Sequence, residues 1–164
     1  MSFYIIPSPV GNLDDFTIRA INTIGELDFL AVESKLSTKK LLKKYNLKVK
    51  SFVIYNDHSS EKDRNKIMNL LEEGKKGGII SEAGTPLVSD PGFKLISTLI
   101  KNNIKIIPLP GPTSVIPALV GSGLPTDKFC FFGFLPKKNN EIKKILAKCS
   151  ADNGTSIFFE SPHR

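Results

Sequence analysis

The chain has no tryptophan, two cysteines, two histidines, and three arginines (Arg19, Arg64, Arg164) against twenty lysines. Each scarcity removes a class of function. Cys130 and Cys149 are too few for a disulfide framework and stand at no metal-ligand spacing, so they read as buried or idle thiols in a reducing compartment. His58 and His163 have no Cys or carboxylate at ligand spacing, which leaves no zinc pattern. No G-x-G-x-x-G follows the first apolar run and no G-x-x-x-x-G-K-[ST] occurs, which argues against a nicotinamide dehydrogenase and a P-loop ATPase. The G-x-S-x-G elbow of serine hydrolases is missing too. No stretch approaches the ~20 apolar residues of a membrane span. Residues 1–25 lack a basic start followed by an apolar block, so the expectation is a cytoplasmic protein without a secretion signal.

What is present is positive charge. The formal net charge is +7, and its distribution is uneven. Lys35, Lys39, Lys40, Lys43, Lys44, Lys48 and Lys50 occur with no acidic residue between Glu33 and Asp57. Lys137, Lys138, Lys143, Lys144 and Lys148 form a second group, diluted by Glu141. Such patches suit RNA, because neutralising phosphates releases counterions. A lysine-rich composition from an AT-rich genome gives the same pattern without nucleic acid, and charge alone does not separate the two.

Short apolar runs alternate with helical patterns, which predicts an α/β fold with a five-stranded, mainly parallel sheet and flanking helices. The expected strands are Phe3–Ile6, Phe29–Val32, Ser51–Tyr55, Gly78–Ser81 and Ile104–Pro108. Ile18, Ile21 and Ile24 suggest the buried face of a first helix, with Asp14 or Asp15 as its cap. Thr38–Tyr45, Glu61–Glu73 and Phe93–Asn102 read as further helices. Past Thr113 the texture changes. Ser114–Val120 is short and apolar, Lys128–Phe134 and Thr155–Glu160 read as strands, and Asn140–Lys148 as a helix. Residues 1–112 are therefore expected to form one α/β domain and 113–164 the truncated start of a second, too small for a core of its own.

The chemistry-bearing segments are the strand ends. The run Ile80-Ser81-Glu82-Ala83-Gly84-Thr85-Pro86-Leu87-Val88-Ser89-Asp90-Pro91-Gly92 stops a buried strand at two Gly/Pro turns, and Pro108-Leu109-Pro110-Gly111-Pro112-Thr113-Ser114 repeats the device. Open α/β sheets bind ligands outside the carboxyl ends of their strands. Glycine permits close approach to the backbone and proline fixes the turn. With Pro7–Asn12, Glu33–Lys35 and Tyr55–Ser59, these corners fit one small-molecule cleft. Each corner alone reads first as a tight turn, and His58 as a turn or cap residue; the five together favour a binding site.

The ordered motifs P-x-P-x-G-N-L, A-x-E, S-x-A-G-T-P-L-x-S-D-P-G, P-L-P-G-P-x-S, G-L-P-T-D, G-F-L-P and E-S-P-H-R run from Ile6 to Arg164. In them the chain resembles the ribosomal RNA small subunit methyltransferase I family of the tetrapyrrole methylase-like (class III) S-adenosylmethionine-dependent methyltransferases. The resemblance implies two α/β domains with a cleft between them, a homodimer, and S-adenosyl-L-methionine as cofactor. It also implies methylation of a cytidine ribose 2′-hydroxyl in the decoding region of 16S ribosomal RNA, with RNA or the small subunit as partner. Carried over by position, cofactor contacts fall on Pro9 and Gly11, on Ser81, Glu82, Ala83, Gly84, Thr85 and Pro86, and on Pro110, Gly111, Pro112, Thr113 and Ser114. The second domain is expected to add Phe134, Leu135, Glu160 and Ser161. Carboxylates suit a sulfonium cation. Glu33 and Asp90 are the first candidates to assist the hydroxyl, among Asp57, His58, Glu82 and Lys35. Lys35, Lys39, Lys40, Lys43 and Lys44 are the expected RNA contacts.

The departures fall on the substrate edge. Val32-Glu33-Ser34-Lys35-Leu36-Ser37-Thr38 stands where the family reads A-E-D-T-R-H-T, and Tyr55-Asn56-Asp57-His58-Ser59 replaces Y-H-E-H-N. Glu82 replaces an aspartate. Two other readings stay open: a class III methylase of a tetrapyrrole or other small molecule, and a catalytically inactive RNA-binding relative.

Overall fold

Five strands, β1 (Ser2–Ile6), β2 (Phe29–Val32), β3 (Ser51–Ile54), β4 (Gly77–Ile80) and β5 (Lys105–Pro108), pair in parallel in the order β3-β2-β4-β1-β5. They belong to a computed structural model that describes residues 1–151 and 153–164. The chain divides into two units, Met1–Thr113 and Ser114–Arg164.

In the first unit the connecting helices are α1 (Ile18–Glu26), α2 (Lys35–Lys44), α3 (Glu61–Glu72) and α4 (Phe93–Lys101). Strand alternation sends successive side chains to opposite faces, and two cores result. Phe3, Phe29, Val53 and Ile79 meet Ile67 and Leu71 of α3 and Leu95 and Leu99 of α4. Ile6, Leu30, Val32 and Ile80 meet Ala20 and Ile24 of α1 and Leu42 of α2. Burying each large apolar side chain contributes ~1.5–3 kcal/mol.

Central β4 opens on two glycines for a steric reason. A Cβ on Gly77 would lie 2.1 Å from Cζ of Phe29, its register partner on β2. One on Gly78 would lie 3.0 Å from the carbonyl oxygen of Tyr4. The space of one absent side chain is filled by a ring from the next strand. At the same amino edge, Asp28 Oδ1 accepts from Lys50 Nζ at 2.6 Å and Oδ2 from the Lys76 N–H at 2.9 Å. Asp28, Lys50 and Lys76 each immediately precede a strand, so one carboxylate ties together the entries of β2, β3 and β4.

Two local expectations are corrected. Thr17, not Asp14 or Asp15, caps α1, its Oγ1 accepting from the Ala20 N–H at 3.1 Å. Asp14 and Asp15 sit in a 3₁₀ turn, Leu13–Asp15, capped by Asn12. The buried stripe of α1 is therefore Ala20 and Ile24, continued by Leu27 just past its end, with Ile21 half-buried at its margin and Ile18 left 77% exposed.

The second unit holds α5 (Val115–Gly121), β6 (Phe129–Phe134), α6 (Asn139–Ser150) and β7 (Thr155–Phe159). The segment expected only as short and apolar is thus helical over α5. β6 and β7 pair in parallel with a bulge between Phe131 and Phe134, where Gly133 takes φ +69°. Aromatic pairs hold the ribbon: Phe131 with Phe159 at 4.7 Å between ring centroids, and Phe132 stacked on Phe158 at 5.0 Å. Thr155 is buried and donates to the Pro125 carbonyl at 2.6 Å. Neither cysteine is buried: Cys130 is exposed on β6 and Cys149 half-buried on α6. No helix among the described residues is long and apolar enough to cross a membrane.

Candidate active site

Because all five strands of the first unit are parallel, their carboxyl ends share one edge. β2 and β4 are neighbours there, yet α2 and α4, which follow them, pack on opposite faces of the sheet. Helices that diverge from adjacent strands open a crevice at the carboxyl edge. Glu33 follows β2, and Ser81–Asp90 follows β4, so both line it.

The loops beside the crevice are bound to one another. Ser8 and Gly84 form an antiparallel bridge, with N–H to O distances of 2.9 and 3.0 Å. Ser81, buried, donates its hydroxyl to the Gly84 carbonyl at 2.6 Å. Thr85 Oγ1 donates to the Pro112 carbonyl at 3.0 Å, which joins the β4 loop to the β5 loop. Gly84 has φ +80°, and a Cβ there would stand 3.3 Å from Val10. A Cβ on Gly111 would stand 2.9 Å from Cβ of Pro7. Pro7, Ser8, Pro9 and Pro86 are buried, whereas Gly11, Glu82, Ala83, Pro110 and Gly111 are exposed and Pro112 and Thr113 half-buried. The Ser8 hydroxyl is buried without a hydrogen-bond partner among the described residues. Farther along, Leu87 and Ser89 hold φ of +73° and +62°. Left-handed non-glycine residues cost of order 1–3 kcal/mol each and gather at functional sites.

Four carboxylates face this edge. Ser34, not Glu33, caps α2, its Oγ accepting from the Ser37 N–H at 3.3 Å, so the Glu33 carboxylate is not used as a cap. Partial burial pushes Glu33 above the usual glutamate range, and the charges of Asp90, Glu82 and Asp57 add to this, while the backbone N–H of Glu82 pulls partly back. Asp90 is raised in the same way, by burial first and then by Asp57 and Glu82. No hydrogen bond from a described residue offsets this at the Asp90 carboxyl. His58 serves a turn: its backbone N–H donates to Asn56 Oδ1 at 3.0 Å. Among the described residues no group of His, Cys, Asp or Glu is arranged to hold a metal ion.

Beside Glu82, an open groove of about 430 Å³ is lined by Pro9, Leu13, Ser34, Leu36, Lys40 and Leu41. Lys35, Lys39, Lys40, Lys43 and Lys44 are all exposed on α2, and Lys44 is 3.9 Å from Asp14. In the second unit, Ser114 precedes α5 and accepts the Ala118 N–H at 3.0 Å. Phe134, Leu135, Glu160 and Ser161 come together at the carboxyl ends of β6 and β7. Arg164 donates to the Leu135 carbonyl at 3.0 Å and lies 3.4 Å from Glu160 Oε1, which also accepts the Ser161 N–H at 2.7 Å.

The sequence profile of the tetrapyrrole (corrin/porphyrin) methylases matches residues 2–164. The chain belongs to the tetrapyrrole methylase family. Within it, ribosomal RNA small subunit methyltransferase I of Hydrogenobaculum sp. is 44% identical over 100% of this chain and 71% of its own length. The protein of that name from Vibrio cholerae is 43% identical over 98% of this chain and 56% of its own. The chain thus spans little more than half of most relatives of this group. Solved structures agree on the fold. Diphthine synthase superposes with a TM-score of 0.67 at 15% identity, over 99% of this chain and 65% of its own. Uroporphyrin III C-methyltransferase from Thermus thermophilus gives 0.58 at 16% identity, over 82% and 61%.

Sequence reading missed Ser8 and the staple between Thr85 and Pro112, which depend on long-range pairing. It also missed the strained pair Leu87 and Ser89, for which neither side chain advertises a left-handed backbone.

Proposed function

We propose that this chain carries the cofactor loops and the reacting carboxylates of an S-adenosyl-L-methionine-dependent methyltransferase that modifies a cytidine ribose 2′-hydroxyl in the decoding region of 16S ribosomal RNA. The observation that carries the reading is the juxtaposition of the Ser8–Gly84–Gly111 cradle with four carboxylates, in a chain whose relatives are named for small-subunit ribosomal RNA.

The loops fit the cofactor. Gly84 and Gly111 let the β1 loop pack close where a Cβ would meet Val10 or Pro7, and Ser81 and Thr85 lock that backbone before any ligand arrives. Pro9, Gly11, Ser81–Pro86 and Pro110–Thr113 would hold it. S-adenosyl-L-methionine, when bound, supplies a methyl group on a positively charged sulfur, an electrophile already activated. Glu82, Asp57 and Asp90 favour a cation at this edge. A ribose hydroxyl needs help to become a nucleophile. Glu33, raised by burial and by its acidic neighbours, is suited to take that proton, because a base works best when its pKa approaches the ambient pH. Asp90 is the second carboxylate able to do so. Positioning supplies much of the remaining rate. The groove beside Glu82 gives the nucleotide a path to Glu33, and the α2 lysines give its phosphates a landing.

The test is transfer of tritiated methyl from S-adenosyl-L-methionine to small subunits and to naked 16S RNA. Label is expected in an alkali-stable dinucleotide, because a 2′-O-methyl group blocks the hydroxyl that alkaline cleavage requires. Label in free bases would contradict the ribose assignment. Cofactor and RNA binding without turnover would favour the inactive relative, and transfer only to a tetrapyrrole would favour the small-molecule methylase.

A further inference from the structure

β3 is an edge strand, and its second residue, Phe52, is half-buried on the α2 face of the sheet. Between α2, the turn after it and β3 lies a groove of about 270 Å³. Leu42, Val49 and Phe52 give it an apolar lining, and Lys39, Lys43 and Lys48 add three ammonium groups. Asn46, held at φ +53°, adds an amide. Lys39 Nζ stands 6.0 Å from the centroid of the Phe52 ring.

The lysines of this stretch are not equivalent. Lys44 is paired with Asp14 at 3.9 Å and Lys50 with Asp28 at 2.6 Å. Lys39, Lys43 and Lys48 pair with no described acid, and no Asp or Glu occurs between Glu33 and Asp57 to neutralise them. Nothing in the fold calls for three cations without an acidic partner in one groove beside an aromatic ring. Single-stranded nucleic acid does call for it: bases stack on ring faces in a sequence-tolerant way while basic groups track the backbone. An acidic peptide would use the cations but not the ring. Stacked duplex offers phosphates but no free base.

We propose that this groove is an RNA anchor separate from the carboxyl edge, in which one unstacked nucleotide lays its base on Phe52 while Lys39, Lys43 and Lys48 hold the adjoining phosphates. Lys39 leaves the ring for a phosphate as the base arrives. α2 then separates two grooves of one RNA track, the other being the groove at Ser34, Lys40 and Glu82. The anchor would fix the register of the strand at the carboxylates. The inference rests on the ribosomal RNA reading above.

The test is fluorescence anisotropy of a labelled single-stranded RNA of mixed sequence, titrated with the chain over a salt series. K39Q/K43Q/K48Q and F52L are compared with the parent, and calorimetric affinity for S-adenosyl-L-methionine serves as the check on folding. The triple variant is expected to bind about tenfold more weakly or worse at low salt, with its log–log salt slope shallower by about 2, since each single-strand phosphate contact contributes ~0.7. F52L keeps the apolar volume but loses the ring face, and should weaken binding about fivefold or more at an unchanged slope. Parental affinity in both variants overturns the anchor and leaves the methyltransferase reading standing. A lost slope with no effect of F52L overturns the base pocket in favour of a plain charged surface. Cofactor binding by a parent chain that binds no RNA at any salt overturns the RNA reading and the anchor with it.

Discussion

Ser8 and Gly84 exchange both of their backbone hydrogen bonds, at 2.9 and 3.0 Å, although they lie on loops that follow different strands. That bridge fixes the β1 loop against the β4 loop, and it works only because Gly84 holds φ +80° with Val10 close by. Replacing Gly84 with alanine meets both obstacles, a left-handed backbone and a Cβ 3.3 Å from Val10 Cγ2. The expected cost is about 1–2 kcal/mol of stability. The larger effect should be on S-adenosyl-L-methionine affinity, since the backbone said to meet the ligand moves. Calorimetric titration of Gly84→Ala checks this; unchanged affinity in a folded variant would remove Gly84 from the proposed cradle.

Glu33 yields a prediction in which stability and activity move in opposite directions. Its carboxyl is raised in the folded chain by burial and by Asp90, Glu82 and Asp57. The folded state therefore favours the protonated form, so this group's contribution is most favourable below the ordinary carboxylate range and is lost as pH rises through the raised folded value. Glu33→Gln removes the ionisation, so it should stabilise the chain at pH 7 relative to the parent, with the difference fading toward pH 4. If Glu33 takes the ribose proton, the same variant should lose a factor of about 10²–10⁴ in the methyl-transfer rate. The parent's rate should fall as pH drops through the raised value. Denaturant melts at the two pH values and a pH–rate profile decide it. A variant less stable at pH 7 would contradict the electrostatic account.

Much of the sheet was legible in the chain because each strand is a short apolar run closed by glycine, proline or a small polar residue, as at Ile80-Ser81 and Pro108. The cradle was legible in part, since Gly84 and Gly111 sit in corners whose composition already implies close approach. What stayed hidden depends on strand order. That Asp90, Glu82 and Asp57 bear on Glu33, and Asp57 and Glu82 on Asp90, requires β3, β2 and β4 to be neighbours in space, which no local pattern states. Glu33 stays out of the α2 cap for a local reason. Ser34 is the better cap, and one residue of shift releases the carboxylate. Ile18 misled because the i, i+3, i+6 spacing drifts around a helix of 3.6 residues per turn, whereas Ala20, Ile24 and Leu27 stay on one face.

Asp28 sits at the opposite edge of the sheet and separates fold from function. The hydrogen bond from Lys50 holds its carboxyl below the usual aspartate range, and the Lys76 N–H lowers it further. A depressed value contributes stability above the unfolded pKa of ~3.9 that is lost as pH falls through the lower folded value. Asp28→Asn should therefore lower the melting temperature at pH 7, with the gap to the parent closing in acid. Cofactor affinity should not change, because Asp28 ties strand entries rather than strand exits. Thermal melts across pH and one calorimetric titration test both halves. A loss of cofactor affinity in the folded variant would show that the two edges are coupled.

Gly77 and Phe29 offer the sharpest test of the core. They are register partners on adjacent strands, and a Cβ on Gly77 would lie 2.1 Å from Cζ, 2.4 Å from Cε1 and 2.6 Å from Cε2 of the ring. No rotation of a fully buried ring relieves three such contacts while Phe3 lies beside it at 6.3 Å between centroids. Gly77→Ala should therefore cost about 3 kcal/mol, the upper range for overpacking. Phe29→Leu alone should cost about 1 kcal/mol or more, by opening space over Gly77. Combined, the two should cost clearly less than their sum, because the added methyl enters the volume that the ring vacates; contacting pairs couple by ~0.5–3 kcal/mol. A double-mutant cycle in urea measures the coupling directly. Strict additivity would mean that the glycine is required by the backbone of β4 and not by the ring that covers it.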